Sequence, residues 1–289
     1  MKSIAIFGAT GLLGTPVTNE FISSGYDVRI LTRNPEKAID LFGATVKILK
    51  GGLDDLGAIE KTISGVESVY INLSVDPESS PADFQPEREG LMNIIAVSKQ
   101  SGIKRIGFIS SLVHNYQGMN GFNWWAFDIK KDAIAFIKRS GIPYTIFYPS
   151  TFMENFDKGN YIAGKKIQIA GKSLHKMYWI AGEDYARQVV RAFNSEVSAN
   201  MEYPVQGPEA YTADEAADLI VNNFTRSEFK IVRAPIGMIK MLGLFSRKMN
   251  YVYHIVEALN NYPEKFESAI TWDHLGKPDI SFRDYIKRL

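Results

Sequence analysis

Short apolar runs alternate with helical patterns through the first half of the chain. The runs are mostly continuous rather than alternating with polar positions, which is typical of strands covered on both faces of a sheet. Strands that alternate with helices indicate right-handed crossovers and a parallel, doubly wound sheet. We predict strands at the following segments: Ile4–Phe7, Val28–Leu31, Val46–Leu49, Val66–Leu73, Ile106–Ile109 and Tyr144–Phe147.

The pattern changes after Pro149, where the strand–helix alternation ends. Residues 150–182 are mixed and rich in glycine, which is typical of loops. A helix is predicted at Glu183–Asn194 and a short strand at Glu202–Gln206, and the region from Thr212 onwards is mostly helical. We therefore expect an α/β fold whose parallel sheet is followed by a smaller, mostly helical part.

Composition restricts the class of protein. The 289 residues, 45% of them hydrophobic, are enough for one large domain or two modest ones. With 33 Lys+Arg against 32 Asp+Glu the net charge is +1, so we do not expect a nucleic-acid partner. The absence of cysteine excludes disulfides and thiolate chemistry and fits a reducing compartment. No segment has the pattern of a secretory signal or a membrane span, so we expect a cytoplasmic globular protein.

A glycine-rich turn, Gly8-Ala9-Thr10-Gly11-Leu12-Leu13-Gly14, directly follows the first predicted strand and opens a helix. In such turns the first glycine allows a tight bend, the second lets a diphosphate approach the backbone, and the third permits close helix packing. The helix N-terminus adds free N–H groups and partial positive charge. A plain turn is the alternative interpretation. The predicted diphosphate contacts are Gly8, Thr10, Gly11, Leu12, Leu13 and Gly14.

The end of the second strand indicates which dinucleotide binds. An NAD site places a carboxylate here for the ribose 2′-hydroxyl, whereas an arginine accommodates the 2′-phosphate of NADP. This chain has Arg33 and, one turn later, Lys37, with no Asp or Glu at the strand end. A guanidinium suits a phosphate dianion. We therefore predict NADP(H), the alternative being that Arg33 is an ordinary solvated side chain.

Six motifs together resemble one family. They are Gly8–Gly14, Arg33–Lys37, Gly141–Ile146, Trp179–Ala186, Gly207–Thr212 and Ile280–Tyr285. Their order and spacing resemble the NmrA-like branch of the atypical short-chain dehydrogenase/reductases. The resemblance implies a Rossmann-type NADP-binding domain over residues 1–155, with its sheet completed by a strand near 202–206. It also implies a smaller, interleaved substrate-facing subdomain over residues 156–289.

The resemblance also implies a set of active-site residues. Ser110 matches the end of the fifth strand, where hydroxyls face the nicotinamide, and Lys130 matches the lysine that binds the nicotinamide ribose. The family's Tyr-x-x-x-Lys pair would place a tyrosine at the position of Ala126. The usual proton donor is therefore absent, and Tyr116 or His114 on the following loop is a candidate replacement.

Several alternatives at this site stay open from the sequence. A shift of one residue would give the lysine role to Lys131, and either lysine could be a solvated helix charge. Gly52 stands where relatives have an aspartate, so the adenine would contact its backbone and pack on Leu53, while Asp55 is predicted to cap a helix. Tyr148 replaces a cation found in many members, which suggests a less anionic ligand or simple core filling.

The missing tyrosine bears on the reaction. Reduction of a simple ketone benefits from a positioned acid, whereas a reduced quinone is a stabilised anion that water can protonate. We therefore expect an NADPH-dependent reductase of a quinone-like or other conjugated carbonyl, acting as a monomer or homodimer. Aromatic residues that could line its pocket are Tyr116, Phe122, Trp124, Trp125, Phe152, Phe156 and Tyr161. The segment Phe152–Tyr161 would close over the nicotinamide ring.

Two other functions compete with a reductase. Ala126 also allows a non-catalytic NADP(H)-binding sensor of the NmrA type, and the family relationship permits epimerase or lyase chemistry on a nucleotide sugar. Hydrolase and nucleotide-hydrolysing motifs are absent from the sequence. The four histidines are isolated and lack the H-E-x-x-H spacing, so no metal site is expected.

Overall fold

Seven parallel strands form the central sheet of the computed structural model, which describes residues 2–159, 161–224 and 228–289. The strands are β1 (Ser3–Phe7), β2 (Asp27–Thr32), β3 (Lys47–Lys50), β4 (Ser68–Ile71), β5 (Arg105–Ile109), β6 (Tyr144–Pro149) and β10 (Met201–Val205). Their spatial order is β10-β6-β5-β4-β1-β2-β3, so the direction of winding reverses between β1 and β4. The predicted Rossmann-type parallel sheet is confirmed.

Helices cover both faces of this sheet. One face carries α1 (Gly14–Ser23), α2 (Pro35–Phe42), α7 (Gly182–Phe193) and α11 (Ala269–Leu275), and the other carries α3 (Leu56–Ile63), α4 (Leu91–Gln100) and α5 (Trp125–Arg139). Within β1, Ile4 and Ile6 pack towards the first face while Ala5 and Phe7 pack towards the second. Because successive side chains point to opposite faces, a doubly covered strand must be apolar at every position.

The C-terminal part adds short strands and further helices. These are α6 (Glu154–Asp157), β7 (Ile162–Ala163), β8 (Lys166–Ala170), β9 (Met177–Trp179), β11 (Glu209–Tyr211), α8 (Ala213–Asn223), β12 (Lys230–Ala234), α9 (Ile236–Gly243), α10 (Arg247–Asn261) and α12 (Phe282–Arg288). Two small sheets, β11-β9 and β12-β8-β7, accompany the helices. A separate apolar core holds this region together, with Phe156, Trp179 and Phe282 fully buried in it.

Later segments of the chain return to the central sheet. Strand β10 pairs with β6, and α7 packs on α1. Helix α9 packs against α10 to form a hairpin, and α10 packs against the 3₁₀ turn Leu112–Tyr116, which follows β5. The C-terminal part therefore places α10 beside the carboxyl end of β5, where the site residues were predicted.

Candidate functional site

The predicted site residues gather at the carboxyl edge of the sheet. In the strand register, Phe7 lies beside both Leu31 and Ile71, and Ile71 lies beside Phe108. The loops after β1, β2, β4 and β5 therefore leave the sheet side by side. Because the winding reverses between β1 and β4, this edge has the crevice in which open α/β sheets bind their ligands.

The glycine turn after β1 is shaped by contacts that exclude side chains. Gly8 has a φ of +86°, and a Cβ there would lie 1.9 Å from the carbonyl oxygen of Asn72. A Cβ on Gly14 would lie 2.0 Å from the oxygen of Gly8, so α1 packs directly onto the turn. A Cβ on Gly11 would meet only that same Gly8 oxygen, at 3.3 Å. Gly11 therefore faces open space, where a diphosphate can approach.

The remaining residues of the glycine turn lie in two different environments, a surface groove and the core. Thr10, Gly11 and Leu12 line a groove of about 790 Å³ that runs along α1. Lys37 of α2 lines the same groove, together with side chains of α1, α6 and α7 that include three carboxylates. Leu13 instead packs against the core, so its backbone is what it offers a ligand. The structure thus brings Lys37 next to the glycine turn.

The loop after β2 is ordered by its own hydrogen bonds. The backbone N–H of Asn34 donates to Thr32 Oγ1 (3.1 Å), and Asn34 Oδ1 accepts from the backbone N–H of Lys37 (3.1 Å), which caps α2. Arg33 extends from this turn into solvent. Within the described ranges, neither Arg33 nor Lys37 forms an ion pair. Both cations are therefore available to a phosphate dianion.

The loop after β3 lies directly beside Arg33. The backbone N–H of Gly51 donates to Thr32 O (3.1 Å), which joins the ends of β2 and β3. Gly52 and Leu53 follow and are half-buried. The predicted helix cap is confirmed, because Asp55 Oδ1 accepts from the first turn of α3 at 3.0 Å. The residues proposed for adenine and for the 2′-phosphate are thus neighbours.

Two serine hydroxyls after β5 have no partner. The backbone N–H of Ser110 donates to Phe147 O (2.7 Å), but the Oγ atoms of Ser110 and Ser111 are buried and form no hydrogen bond to any described residue. A buried hydroxyl left unpaired costs about 1–3 kcal/mol. Two such groups at the ligand-binding edge of the sheet fit the polar groups of a nicotinamide nucleotide.

Lys130 points into the protein, towards a carboxylate that the sequence analysis did not identify. Its Nζ donates to Glu87 Oε1 at 2.7 Å; the side chain of Glu87 is fully buried, and that of Lys130 is 18% exposed. Lys131, by contrast, is exposed. Burial raises the pKa of Glu87, and the Lys130 charge opposes that rise. Glu87 Oε2 has no hydrogen-bond partner among the described residues.

Ala126, the position of the missing tyrosine, belongs to an apolar cluster to which α10 contributes. Ala126 is buried in a cluster that also includes Trp124 and, from α10, Tyr251 and Ala258. The ring of Tyr251 lies edge-on to Trp124, with ring centroids 5.0 Å apart. Burial, and next the charge of Glu87, raise the pKa of Tyr251 to about 12. The phenol of Tyr251, which comes from a distant part of the sequence, therefore lies near the Lys130–Glu87 pair.

Both candidate proton donors on the loop after β5 are buried. The ring of Tyr116 packs on Phe122, and its hydroxyl oxygen accepts a long bond from Asn120 Nδ2 (3.5 Å). His114 Nδ1 hydrogen-bonds with Ser111 O (2.5 Å). Burial lowers the pKa of His114, and nearby lysine charges lower it further, although the bond to Ser111 opposes this. His114 is therefore neutral near pH 7.

The hydroxyl of Tyr148 is bound by a carboxylate of the neighbouring edge strand. Its hydroxyl donates to Glu202 Oε2 (2.5 Å) on the edge strand β10, and its ring stacks on His114 with centroids 5.7 Å apart. Burial, followed by the bond to Glu202 and its charge, raises the pKa of Tyr148. The geometry therefore gives Tyr148 a packing role at the sheet edge, the second of the two interpretations of this residue.

The aromatic residues proposed for a pocket fall into two groups. Trp124 and Trp125 line a cleft of about 320 Å³ between the loop after β4, the N-terminus of α5 and the α9–α10 turn. Phe152 and Phe156 are instead buried in core clusters. Tyr161 packs on Phe156 with ring centroids 4.7 Å apart. The expected closure of 152–161 over a ligand does not fit these core positions.

Two properties of the described residues concern membranes and metal ions. None of the described helices is both long enough and apolar enough to cross a membrane. No group of three or more His, Asp or Glu side chains in the described ranges is arranged to hold a metal ion.

Comparison with known proteins points to one family. The sequence profile of the NmrA-like family matches residues 1–275. Photosystem II assembly factor Ycf39 of Synechocystis sp. is 25% identical over 263 residues, which cover 89% of this chain and 78% of that protein. The (4-alkanoyl-5-oxo-2,5-dihydrofuran-3-yl)methyl phosphate reductase of Streptomyces griseus is 27% identical over 215 residues, covering 73% of this chain and 70% of that protein.

A solved structure shares the fold along nearly the whole chain. The NADPH-dependent quinone oxidoreductase from Escherichia coli, complexed with NADPH, matches with a TM-score of 0.73 at 18% identity. The match covers 99% of each chain. At this identity the likeness concerns the fold.

Proposed function

Because the chain belongs to the NmrA-like family, we propose that it is an NADPH-dependent reductase of a quinone-like or other conjugated carbonyl acceptor. One observation carries the proposal. The carboxyl edge of the sheet aligns an open glycine turn at Gly11 with the unpaired, buried hydroxyls of Ser110 and Ser111. A ligand that extends from helix α1 to the end of β5 would satisfy both, and an extended dinucleotide has this form.

The cofactor residues are assigned along this edge. The backbone of the turn binds the diphosphate, through Gly8, Thr10, Gly11, Leu12, Leu13 and Gly14. Arg33 and Lys37 bind the 2′-phosphate, and Gly52 and Leu53 contact the adenine. A bound nicotinamide supplies the hydride, while the protein supplies orientation and electrostatics. The similar proteins from Escherichia coli and Streptomyces griseus are both named as reductases, which supports this proposal.

We assign further roles to the residues near the nicotinamide end of the site. Lys130, held at 2.7 Å by Glu87, orients the nicotinamide ribose. Ser110 donates a hydrogen bond to the nicotinamide or to the acceptor oxygen. Tyr116 and Tyr251 are the two phenols that could supply a proton. Tyr251 is the better placed, because it lines the 320 Å³ cleft and lies near the charge of Glu87.

A second function is favoured by a different observation. Ala126 leaves position 126 without a proton donor, and it shares an apolar cluster with residues of α10. One relative, Ycf39, is named as an assembly factor rather than a reductase. A protein that binds NADP(H) tightly and signals its occupancy to a partner, without turnover, would fit these facts.

One assay separates the two functions. The purified full-length protein is mixed with NADPH and a panel of quinones and enones, and the loss of NADPH absorbance is followed. NADPH affinity is measured in parallel by calorimetry. We expect turnover with at least one quinone. Tight binding of NADPH without oxidation by any acceptor would refute the reductase and support the sensor.

A further inference from the structure

The α9–α10 hairpin ends in an apolar surface that no described part of the chain covers. This surface, here called the apolar tip, consists of Met238, Met241, Leu242, Leu244 and Phe245. Leu244 is 76% exposed and Phe245 is 88% exposed. Single exposed apolar residues are ordinary, but a contiguous group of large ones marks an interaction surface. We therefore expect the apolar tip to contact a binding partner.

The tip does not belong to the core of the hairpin. Helix α9 packs on α10 through its opposite side, with Ile239 and Gly243 buried. A Cβ on Gly243 would lie 3.0 Å from the Cα of Asn250, so the two helices are already in close contact there. Ser246 then caps α10 by accepting from the backbone N–H of Met249 (3.3 Å). The turn between the helices is thus held by local bonds that leave Leu244 and Phe245 outside.

Lysine and arginine residues flank the apolar tip along the sequence. From Phe229 to Val256 the sequence has five Lys or Arg residues and no Asp or Glu. Lys240 and Lys248 are exposed and form no ion pair with any residue in the described ranges. Arg247 faces Asp83 at 3.4 Å, but both side chains are exposed and such pairs contribute little. The tip therefore presents apolar side chains within a cationic rim.

We propose that the apolar tip inserts into the headgroup region of a membrane that contains anionic lipids. Apolar side chains at the tip of a helical hairpin, flanked by lysines, match a surface with acyl chains below and negative charge above. Self-association fits less well, because a symmetric tip-to-tip contact would bring Lys240 and Lys248 of both copies together. The described helices do not span a membrane, so the contact is peripheral.

The position of the apolar tip connects membrane binding with the delivery of an acceptor to the cleft. Leu244 and Phe245 also line the 320 Å³ cleft, together with Trp124, Trp125 and Tyr251. An apolar acceptor dissolved in the bilayer would reach the cleft without crossing water. This delivery rests on the proposed reductase function, whereas membrane binding itself does not.

Vesicle co-sedimentation tests the proposal. The full-length protein is incubated with phosphatidylcholine vesicles, with and without phosphatidylglycerol, and the bound fraction gives a partition coefficient. We expect binding that increases with phosphatidylglycerol and weakens with added salt. Leu244→Ser/Phe245→Ser should lower the partition coefficient by about tenfold or more. Lys240→Glu/Lys248→Glu should lower it by about thirtyfold or more on the anionic vesicles.

A matched control removes equally exposed apolar residues elsewhere. Val197 and Ile270 are 69% and 59% exposed and lie outside the hairpin. Val197→Ser/Ile270→Ser should bind vesicles like the wild type, and thermal unfolding should show that every variant is folded.

Three results would overturn the proposal. The wild type could fail to bind anionic vesicles, or the control pair could reduce binding as much as the tip pair. A dimer in analytical ultracentrifugation that Leu244→Ser/Phe245→Ser converts to a monomer would assign the tip to a second copy instead. Because no cofactor or acceptor is present, failure of vesicle binding is separate from failure of the reductase assay.

Discussion

The buried Lys130–Glu87 pair allows a quantitative test of how the site is held together. Lys130→Met removes the ammonium but keeps a stem of similar shape. Glu87 is fully buried and its second oxygen has no described partner, so its charge would lose its compensation. Removing one partner of a buried pair costs about 3–5 kcal/mol, and the 18% exposure of Lys130 places this case at the lower end.

That loss converts into a shift of the unfolding temperature. For 289 residues, the entropy of unfolding is about 0.6 kcal/mol per kelvin at the midpoint. A loss of about 3 kcal/mol therefore lowers Tm by about 5 °C. Circular dichroism of the cofactor-free protein measures this shift. Lys131→Met, at the exposed neighbouring position, is the matched control. It should change the free energy of unfolding by no more than about 0.5 kcal/mol.

The loss should depend on pH in a defined direction. Burial raises the pKa of Glu87 above its ordinary value of 4.5, and removal of Lys130 raises that pKa further. A carboxyl whose pKa is higher in the folded state adds stability below its ordinary pKa and loses that contribution as the pH rises through the folded value. The Tm deficit of Lys130→Met should therefore be small near about pH 4.5 and grow at higher pH.

A double variant completes the test. Glu87→Met/Lys130→Met replaces both charges with apolar groups of similar volume, which is often neutral or stabilising for a buried pair. We expect it to recover most of the lost Tm. The reasoning is refuted if Lys130→Met unfolds at the wild-type temperature near neutral pH, or if the double variant is as unstable as the single one.

Three further sets of predictions concern the 2′-phosphate contact, the glycine turn and the proton donor. Arg33→Asp should weaken NADPH binding by about ten- to a hundredfold, as expected for one charge-assisted contact, and leave NADH binding nearly unchanged in calorimetry. Gly8→Ala should destabilise the cofactor-free fold by more than about 2 kcal/mol, because its Cβ would lie 1.9 Å from a carbonyl oxygen. Gly11→Ala should keep the wild-type Tm but weaken NADPH binding. Tyr251→Phe should lower kcat by about a hundredfold for an acceptor that needs a proton, whereas Tyr116→Phe should not.

Controls and contrary outcomes differ among these three. Arg139→Asp, at an exposed position at the end of α5, controls for net charge. Equal effects of Arg33→Asp on NADPH and NADH would remove the 2′-phosphate assignment. A wild-type Tm for Gly8→Ala would contradict the geometry of the turn. If Tyr116→Phe lowered kcat and Tyr251→Phe did not, the proton would be assigned to the loop after β5.

Local patterns were enough to predict the sheet, the glycine turn and one helix cap. All seven predicted strands overlap strands of the central sheet, because a strand covered on both faces needs apolar residues throughout. The glycine turn and the cap at Asp55 depend on residues only a few positions apart. Arg33 and Gly52 lie close together because the paired strands β2 and β3 end side by side at Thr32 and Lys50.

The reacting end depended on contacts that no local pattern encodes. Glu87 sits within a charged segment that gives no sign of burial, yet its side chain is fully buried against Lys130. Tyr251 reaches the same place from α10, near the C-terminal end of the chain. Phe152 and Phe156 were expected at a ligand but are buried in cores, since aromatic composition does not distinguish a pocket from packing.

The sequence by itself determined the family, the doubly wound sheet and the glycine turn, because each depends on backbone conformation and on side-chain periodicity within short segments. Only the tertiary structure decided that Lys130 rather than Lys131 turns inward, and that Glu87 and Tyr251 lie near it. It also decided that the apolar residues around Phe245 are left outside the core. The physical reason is that burial and ionic partners are set by which distant segments pack together, and one strand or helix alone does not specify its neighbours.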